Sequence, residues 1–199
     1  MSIDATKHPG GLNLTDRAFR LSGLPIGAVL LDVGCGEGHS LNYLANKYGI
    51  EPYGIDISID AIQRASQIIS KANLTCADAH FMPYEAEFFD GVICECALSV
   101  VSQPSGILSE IYRVLKPGGI LIASDICDAF GLDEIGKIYT DNGFNIRHFE
   151  DHKSALITYL SVLRMQAVDL STECSPTCDD DYNTRRKKQT YYLAICQRN

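Results

Sequence analysis

No run of apolar residues in this 199-residue chain approaches the roughly 18 that a membrane-spanning helix requires. The first residues, MSIDATKHPGG, also lack the charged start and apolar centre of a secretory signal peptide. We therefore expect a protein without membrane spans that works in the cytoplasm. No internal repeat is present, and 46% hydrophobic residues over this length are typical of one globular domain with its own core.

Basic residues are fewer than acidic residues, with 17 Lys and Arg against 25 Asp and Glu. The formal net charge is −8 and the sequence pI is about 5.0. Because binding to a phosphate backbone depends on clustered Lys and Arg, this balance argues against nucleic acid as the main partner. The run RRKK at 185–188 keeps an RNA partner open, although a solvated surface is the simpler interpretation.

Strand-like and helix-like segments alternate along the chain, which is typical of a mostly parallel sheet covered by helices on both faces. Short apolar runs predict the strands, and apolar residues three or four apart predict the helices. The polar segment 171–189 has no apolar periodicity and is interpreted as a surface loop. The predicted strands are 28–33, 52–57, 74–77, 88–96, 120–124, 144–149 and 191–196, and the predicted helices are 12–21, 41–48, 58–72, 104–115, 135–142 and 154–169.

A glycine-rich loop, LLDVGCGEGHS from Leu30 to Ser40, follows the first predicted strand. Its three glycines allow a tight turn and let a ligand approach the backbone at the start of the next helix. Asp32 stands two residues before the first glycine, where a carboxylate would repel a pyrophosphate but attract a cation. The loop therefore predicts a nucleotide-like ligand that carries positive charge.

Two further acids end the next two predicted strands. Asp56 lies about 20 residues downstream of the loop, where an acid accepts hydrogen bonds from ribose hydroxyls. Asp78 ends the third strand and could accept a bond from the adenine amino group. Because the carboxyl ends of parallel strands meet at one sheet edge, the three acids are expected at one site. S-adenosylmethionine, an adenosine that carries an ammonium and a sulfonium, satisfies all three.

Four segments of the chain resemble the class I S-adenosylmethionine-dependent methyltransferases, in particular their small-molecule (methyltransferase type 11-like) branch. The resemblance implies an α/β fold, a three-layer Rossmann-like sandwich whose seven-stranded sheet is mostly parallel, with the last strand antiparallel. It also implies one methyltransferase domain over 1–199, with a cap helix in 1–24, a cofactor-binding core in 25–150, and a C-terminal helix, flexible cysteine-containing loop and last strand in 151–199. The segments are VLLDVGCGEG, YGIDIS, CADAHFMPYEAEFFDGVIC and ILSEIYRVLKPGGILIASD.

The resemblance further implies cofactor-binding roles for nine residues. The loop after the first strand would line the methionine part, and the end of the second strand would hold the ribose and flank the adenine. The end of the third strand would cap the adenine edge, and the residue after the fourth strand would face the methyl and sulfonium. In this order the residues are Asp32, Gly34, Cys35 and Gly36, then Asp56 and Ile57, then Asp78 and Ala79, and finally Glu95.

The expected function is methyl transfer from S-adenosylmethionine to an unidentified small-molecule acceptor, with S-adenosylhomocysteine as the product and a monomer or homodimer as the active form. No catalytic residue and no metal ligand is assigned, because in-line transfer depends mainly on alignment and water exclusion. Outside the nine residues, Arg17 is predicted to pair with the methionine carboxylate, and Phe19 and Tyr159 to wall an acceptor pocket.

Eight cysteines leave an alternative open, a non-catalytic accessory protein that binds a metal, metalloid or partner through thiols. In a cytoplasmic protein, disulfides are not the default. Cys94 and Cys96, two apart on a strand, are expected on one face of the sheet with Glu95 opposite. Those whose role the sequence leaves open are Cys94, Cys96, Cys127, Cys174 and Cys178.

Overall fold

The computed structural model of the chain describes residue 6 and residues 8–128, 131–170 and 189–199, with only the backbone for 167–170. The helices and strands follow one another in the predicted order, with two consecutive strands between the third and fourth helices, although their bounds differ. None of the described helices is long and apolar enough to cross a membrane. The elements are α1 (Gly11–Ser22), β1 (Val29–Val33), α2 (His39–Tyr48), β2 (Glu51–Asp56), α3 (Ile59–Ile68), β3 (Asn73–Cys76), β4 (Phe89–Glu95), α4 (Pro104–Val114), β5 (Leu115–Asp128), α5 (Leu132–Asp141), β6 (Phe144–Asp151), α6 (Lys153–Leu170) and β7 (Gln189–Arg198).

The seven strands form one sheet in the order β3-β2-β1-β4-β5-β7-β6. Strand β7 lies antiparallel between β5 and β6, and the other neighbouring strands are parallel. The strand order reverses beside β1, which has β2 on one side and β4 on the other. In open α/β sheets such a reversal leaves a crevice at the carboxyl ends of the strands. The predicted fold class is confirmed, and the crevice lies beside the glycine loop.

The core consists of two apolar layers, one on each face of the sheet. Leu31 and Val92 face the layer that contains Ile111 of α4, whereas Leu30 and Ile93 face the layer built with α1, α2 and α6. Because both faces are covered, successive strand residues are buried alternately on opposite sides, which explains the nearly unbroken apolar runs. Each fully buried Leu or Ile contributes about 1.5 to 3 kcal/mol relative to an exposed one.

Two predicted boundaries are corrected by local geometry. The helix expected to reach residue 72 ends at Ile68, because Ile69 is extended, while Ser58 caps its start by accepting a bond from the Ala61 amide. Strand β5 begins at Leu115 instead of 120, and the segment KPGG at 116–119 is an irregularity within it. Phe89 pairs with Leu115 but Gly91 pairs with Ile120, so the extra residues of β5 bulge between these two pairs.

Candidate cofactor site

The glycine loop turns from β1 into α2 through backbone that only glycine adopts easily. Gly34, Gly36 and Gly38 have φ values of 76°, 54° and 76°. A Cβ atom on Gly34 would lie 2.8 Å from a side-chain carbon of Ala97, so tight packing also requires this glycine. Apart from its chain neighbours, no described residue has an atom within 4 Å of the position a Cβ on Gly36 would take. The loop therefore leaves open space over its central backbone.

A cavity of about 290 Å³ lies in front of this loop at the carboxyl edge of the sheet. Five of the nine predicted residues line it together with residues from the chain's N-terminal segment, α2 and α3. The four others lie outside it, at the ends of β2 and β3. The lining residues are Thr6, His8, Asp32, Gly34, Cys35, Gly36, Glu37, Gly38, His39, Ser40, Ala61, Arg64 and Glu95.

Asp32 is 5% exposed, and its side chain makes no hydrogen bond with any residue the structure describes. Burial raises the pKa of its carboxyl well above the usual value, the charge of Glu95 raises it further, and His8 acts in the opposite direction. A buried carboxylate without a partner is costly, and a cation in the cavity would remove that cost. Asp32 therefore marks the cavity as a site for a positively charged group.

The side chain of Glu95 is 7% exposed and, in contrast to that of Asp32, has several hydrogen-bond partners. Its carboxylate accepts hydrogen bonds from Thr15 Oγ1 at 2.9 Å and Ser40 Oγ at 2.8 Å, and His8 Nε2 lies 3.3 Å away. Burial raises the pKa of Glu95, but the charge of His8 and these hydrogen bonds outweigh it and keep the pKa below its usual value. Glu95 is therefore held as a carboxylate.

The N-terminal segment is a part of the site that the sequence reading missed. His8 is buried, its Nδ1 lies 3.1 Å from the Pro9 carbonyl oxygen, and its Nε2 faces Glu95. No spacing rule connects His8 with Glu95. The available signal was the cap helix predicted over the open edge of the sheet, because the residues just before such a helix must lie at the same edge.

At the end of β2, Asp56 uses both carboxylate oxygens for backbone bonds. Oδ2 accepts from the Gly36 amide and Oδ1 from the Ser58 amide, each at 2.9 Å. The first bond ties β2 to the glycine loop. Ile57 follows with 76% of its surface exposed, which leaves a large apolar side chain uncovered beside the loop.

At the end of β3, the Asp78 side chain is 48% exposed, and Ala79 packs partly against the core. Asp78 Oδ1 accepts a hydrogen bond from the His80 amide at 2.9 Å and lies 2.8 Å from His80 Nδ1. These two bonds, the backbone bond first, lower the pKa of Asp78. The predicted residues thus form two groups, a buried group at the cavity and an open group at the ends of β2 and β3.

Two residues outside these nine, Arg17 and Phe19, do not have the roles that the sequence predicted for them. Arg17 does not line the cavity; its guanidinium makes two hydrogen bonds to Glu150 on β6, so the predicted methionine partner is wrong. Phe19 is a buried core residue whose ring centroid lies 4.4 Å from that of Tyr48. The acceptor wall predicted at Phe19 therefore does not face the cavity.

The cysteines at the end of β4 lie on opposite faces of the sheet, contrary to expectation. Cys94 belongs to the layer built with α4, whereas the sulfur of Cys96 lies 3.5 Å from the hydroxyl of Tyr191 in the other layer. Cys96 has φ of 55°, and this left-handed residue breaks the alternation of the strand. Glu95 and Cys96 consequently share a face.

The thiols of the described part of the chain do not form a binding centre. Burial raises the pKa of Cys96 to about 12 and that of Cys127 to about 11, so these thiols stay protonated at neutral pH. Within 8–128, 131–170 and 189–199, no three Cys, His, Asp or Glu residues are grouped to hold a metal ion. Cys174 and Cys178 lie outside the described residues. The accessory-protein alternative therefore gains no support here.

Comparison with known proteins agrees with the fold. Residues 31–123 match the sequence model of a family described as "Methyltransferase domain". This match, which spans just under half of the chain, and the fold together support the resemblance to the class I S-adenosylmethionine-dependent methyltransferases. Methyltransferase GfsG of Streptomyces halstedii is 25% identical over 189 residues, which cover 88% of this chain and 67% of that protein.

Two solved structures share the fold over nearly the whole chain. The [4+2]-cyclase SpnF has a TM-score of 0.79 at 24% identity, covering 94% of this chain and 80% of that one. A Haemonchus contortus phosphoethanolamine N-methyltransferase, in complex with phosphomonomethylethanolamine and S-adenosylhomocysteine, has a TM-score of 0.77 at 19% identity, covering 96% and 53%. Across eight curated relatives, this chain spans 25% to 67% of the relative's own length.

Proposed function

We propose that this chain transfers a methyl group from S-adenosylmethionine to a small-molecule acceptor and releases S-adenosylhomocysteine. The observation that carries the proposal is Asp32, a buried residue that lines the cavity beside the glycine loop and whose carboxyl makes no hydrogen bond with any described residue. A ligand with an ammonium and a sulfonium supplies the positive charge that this position favours.

The lining of the cavity fits the methionine part of this cofactor. Asp32 and Glu95 provide negative charge on two sides, and the open space above Gly36 permits close approach to the backbone. Gly34 and Cys35 complete the wall at the turn. We assign these five residues to the methionine part.

The open group fits the adenosine part. We assign Asp56 to the ribose hydroxyls, because it ends β2 next to the loop and its carboxylate oxygens can accept further bonds. Exposed Ile57 offers an apolar surface to one face of the adenine, and Asp78 with Ala79 borders its edge. Because the four residues lie around the crevice beside β1, an adenosine there would be continuous with the cavity.

When bound, S-adenosylmethionine supplies a methyl group on a sulfonium, whose leaving group departs as a neutral thioether. The role of the protein is to bind the cofactor and the acceptor, to orient them towards each other and to exclude water. Glu95 is suited to this task, since Thr15, Ser40 and His8 fix its carboxylate before any ligand arrives. A charge held in place in this way needs no reorganisation during the reaction.

A small-molecule acceptor is supported by the relatives and by the charge of the chain. Curated relatives include phosphoethanolamine N-methyltransferases of Zea mays and Arabidopsis thaliana, which are named for small acceptors. The net charge of −8 does not favour a nucleic-acid substrate.

Calorimetry with S-adenosylhomocysteine tests the proposal. We expect micromolar binding by the wild-type protein and a loss of about 10- to 100-fold in Asp32→Asn, the range for a lost bond to a charged group. Asp90→Asn is the matched control, because Asp90 at the opposite edge of the sheet bonds the Val29 amide and Lys116. Equal affinity of the two variants, or no binding by the wild type, would contradict the proposal.

A further inference from the structure

His80 connects the end of β3 with the start of α4. Its backbone amide and its ring Nδ1 both reach Asp78 Oδ1, at 2.9 and 2.8 Å. Its Nε2 lies 3.2 Å from the carbonyl oxygen of Gln103, the residue before α4. Carboxylate and carbonyl oxygens accept hydrogen bonds and do not donate them, so both ring nitrogens must be donors. The surroundings therefore select the charged imidazolium.

These bonds leave the two oxygens of Asp78 in different states. Oδ1 accepts two bonds from His80, whereas no described residue donates to Oδ2. Because Oδ1 is held from the backbone and from the ring, the carboxylate plane is fixed. Oδ2 remains as an acceptor at the open crevice, on a side chain that is 48% exposed.

The helix that follows is shaped to accept the imidazole ring. A Cβ atom on Gly106 would lie 2.8 Å from His80 Cδ2. Gly106 lies in the first turn of α4, and its amide bonds the same Gln103 carbonyl that His80 reaches. Glycine within a helix is destabilising relative to alanine. The close contact with the His80 ring explains why glycine occurs at this position.

We propose that His80 is a positioning residue for adenine recognition, which fixes Asp78 so that its Oδ2 accepts a hydrogen bond from the 6-amino group of the cofactor. The proposal rests on the function proposed above, in which Asp78 borders the adenine. It makes His80 a determinant of selectivity for a 6-amino purine over a 6-oxo purine, although the ring itself need not touch the ligand.

The test compares S-adenosylhomocysteine with S-inosylhomocysteine, whose purine carries a carbonyl oxygen in place of the amino group. Calorimetry at pH 6 should show that the wild type prefers the adenosyl ligand by about tenfold or more. In His80→Ala we expect that ratio to fall several-fold, with the inosyl affinity unchanged. His152→Ala is the matched control, since His152 pairs with Glu150 far from the crevice, and should keep the ratio.

A second variant and a pH series separate positioning from a merely structural role. Gly106→Ala displaces the ring without removing it and should also lower the ratio; thermal melting checks that both variants are folded. Asp78, then the Gln103 carbonyl, raises the pKa of His80, and Asp78 is the charged group acting on its ring. Wild-type preference should therefore decline as pH rises through that pKa, while His80→Ala shows no such decline.

The outcomes are distinguishable from failure of the proposed function. If the wild type binds neither ligand, the proposed function fails. If it binds both equally, or if folded His80→Ala and Gly106→Ala keep the wild-type ratio, the cofactor assignment can stand while the role of His80 is overturned.

Discussion

The two ends of the proposed cofactor site differ in how their charges are held. At the cavity, Asp32 and Glu95 are buried, and Glu95 is bonded by residues of the N-terminal segment, α1 and α2. At the crevice, Asp56 and Asp78 are partly exposed and take bonds from amides two residues further along the chain. Tertiary packing thus sets the electrostatics of the first end, and local turns set the geometry of the second.

This difference shows at which end of the site charge has the larger effect on the pKa values of the carboxyl groups. In the buried end, low solvent screening drives the pKa values of two neighbouring carboxyls in opposite directions, according to which of them has donors. In the open end, water screens each charge, so alignment of hydrogen bonds matters more than charge alone.

The largest effect is expected from Glu95→Gln at the buried end. Loss of this carboxylate removes the ion pair between Glu95 and His8, and breaking a buried pair costs about 3 kcal/mol. Urea unfolding should show this decrease in the free energy of unfolding. The control Glu51→Gln changes an exposed carboxylate and should shift stability by less than about 0.5 kcal/mol. Equal stabilities of the two variants would remove the contrast between the ends.

A smaller effect is the pH dependence of ligand binding through Asp32. Its pKa in the free protein is raised, so a cation that favours the carboxylate must displace a proton below that pKa. Affinity for S-adenosylhomocysteine should therefore increase as pH rises above 3.8 towards the raised pKa, by up to about tenfold per pH unit.

The same shift has the opposite sign for stability. Because the folded state disfavours ionised Asp32, the free protein loses stability as pH rises through this window. In Asp32→Asn, the contribution of Asp32 to the pH dependence of ligand affinity and of the free energy of unfolding should be absent. Calorimetry and urea unfolding across the same pH range measure the two. An identical pH profile in the variant would show that another group controls binding.

The smallest effect is expected from Ile57→Ala at the open end. Because Ile57 is 76% exposed, its truncation should leave the melting temperature within about 1 °C. Loss of an apolar contact with the adenine should weaken S-adenosylhomocysteine binding about two- to fivefold. Exposed Ile157 on α6 supplies the control, Ile157→Ala, with no change in affinity. A large loss of stability would mean that Ile57 belongs to the core and not to an open crevice.

The strand ends and the glycine loop could be predicted from sequence, whereas the partners of the buried carboxylate Glu95 could not. Gly34, Gly36, Asp56 and Asp78 lie at or just after strand ends at fixed short spacings, so the fold and the positions of these residues could be predicted. His8 and Ser40 reach Glu95 only through packing of separate elements, which no local pattern records. The face of Cys96 was mispredicted because alternation along a strand assumes extended φ, and this residue is left-handed.

The contact between His8 and Glu95 also bears on the order of folding. A chain is synthesised from its N-terminus, so residue 8 emerges long before its partner at the end of β4 exists. Closure of so long a loop costs little more entropy than closure of a shorter one, yet it must wait for the strand to be in place. We therefore expect the buried end of the site to be completed only after the central sheet has formed, although the segment that closes it is made first.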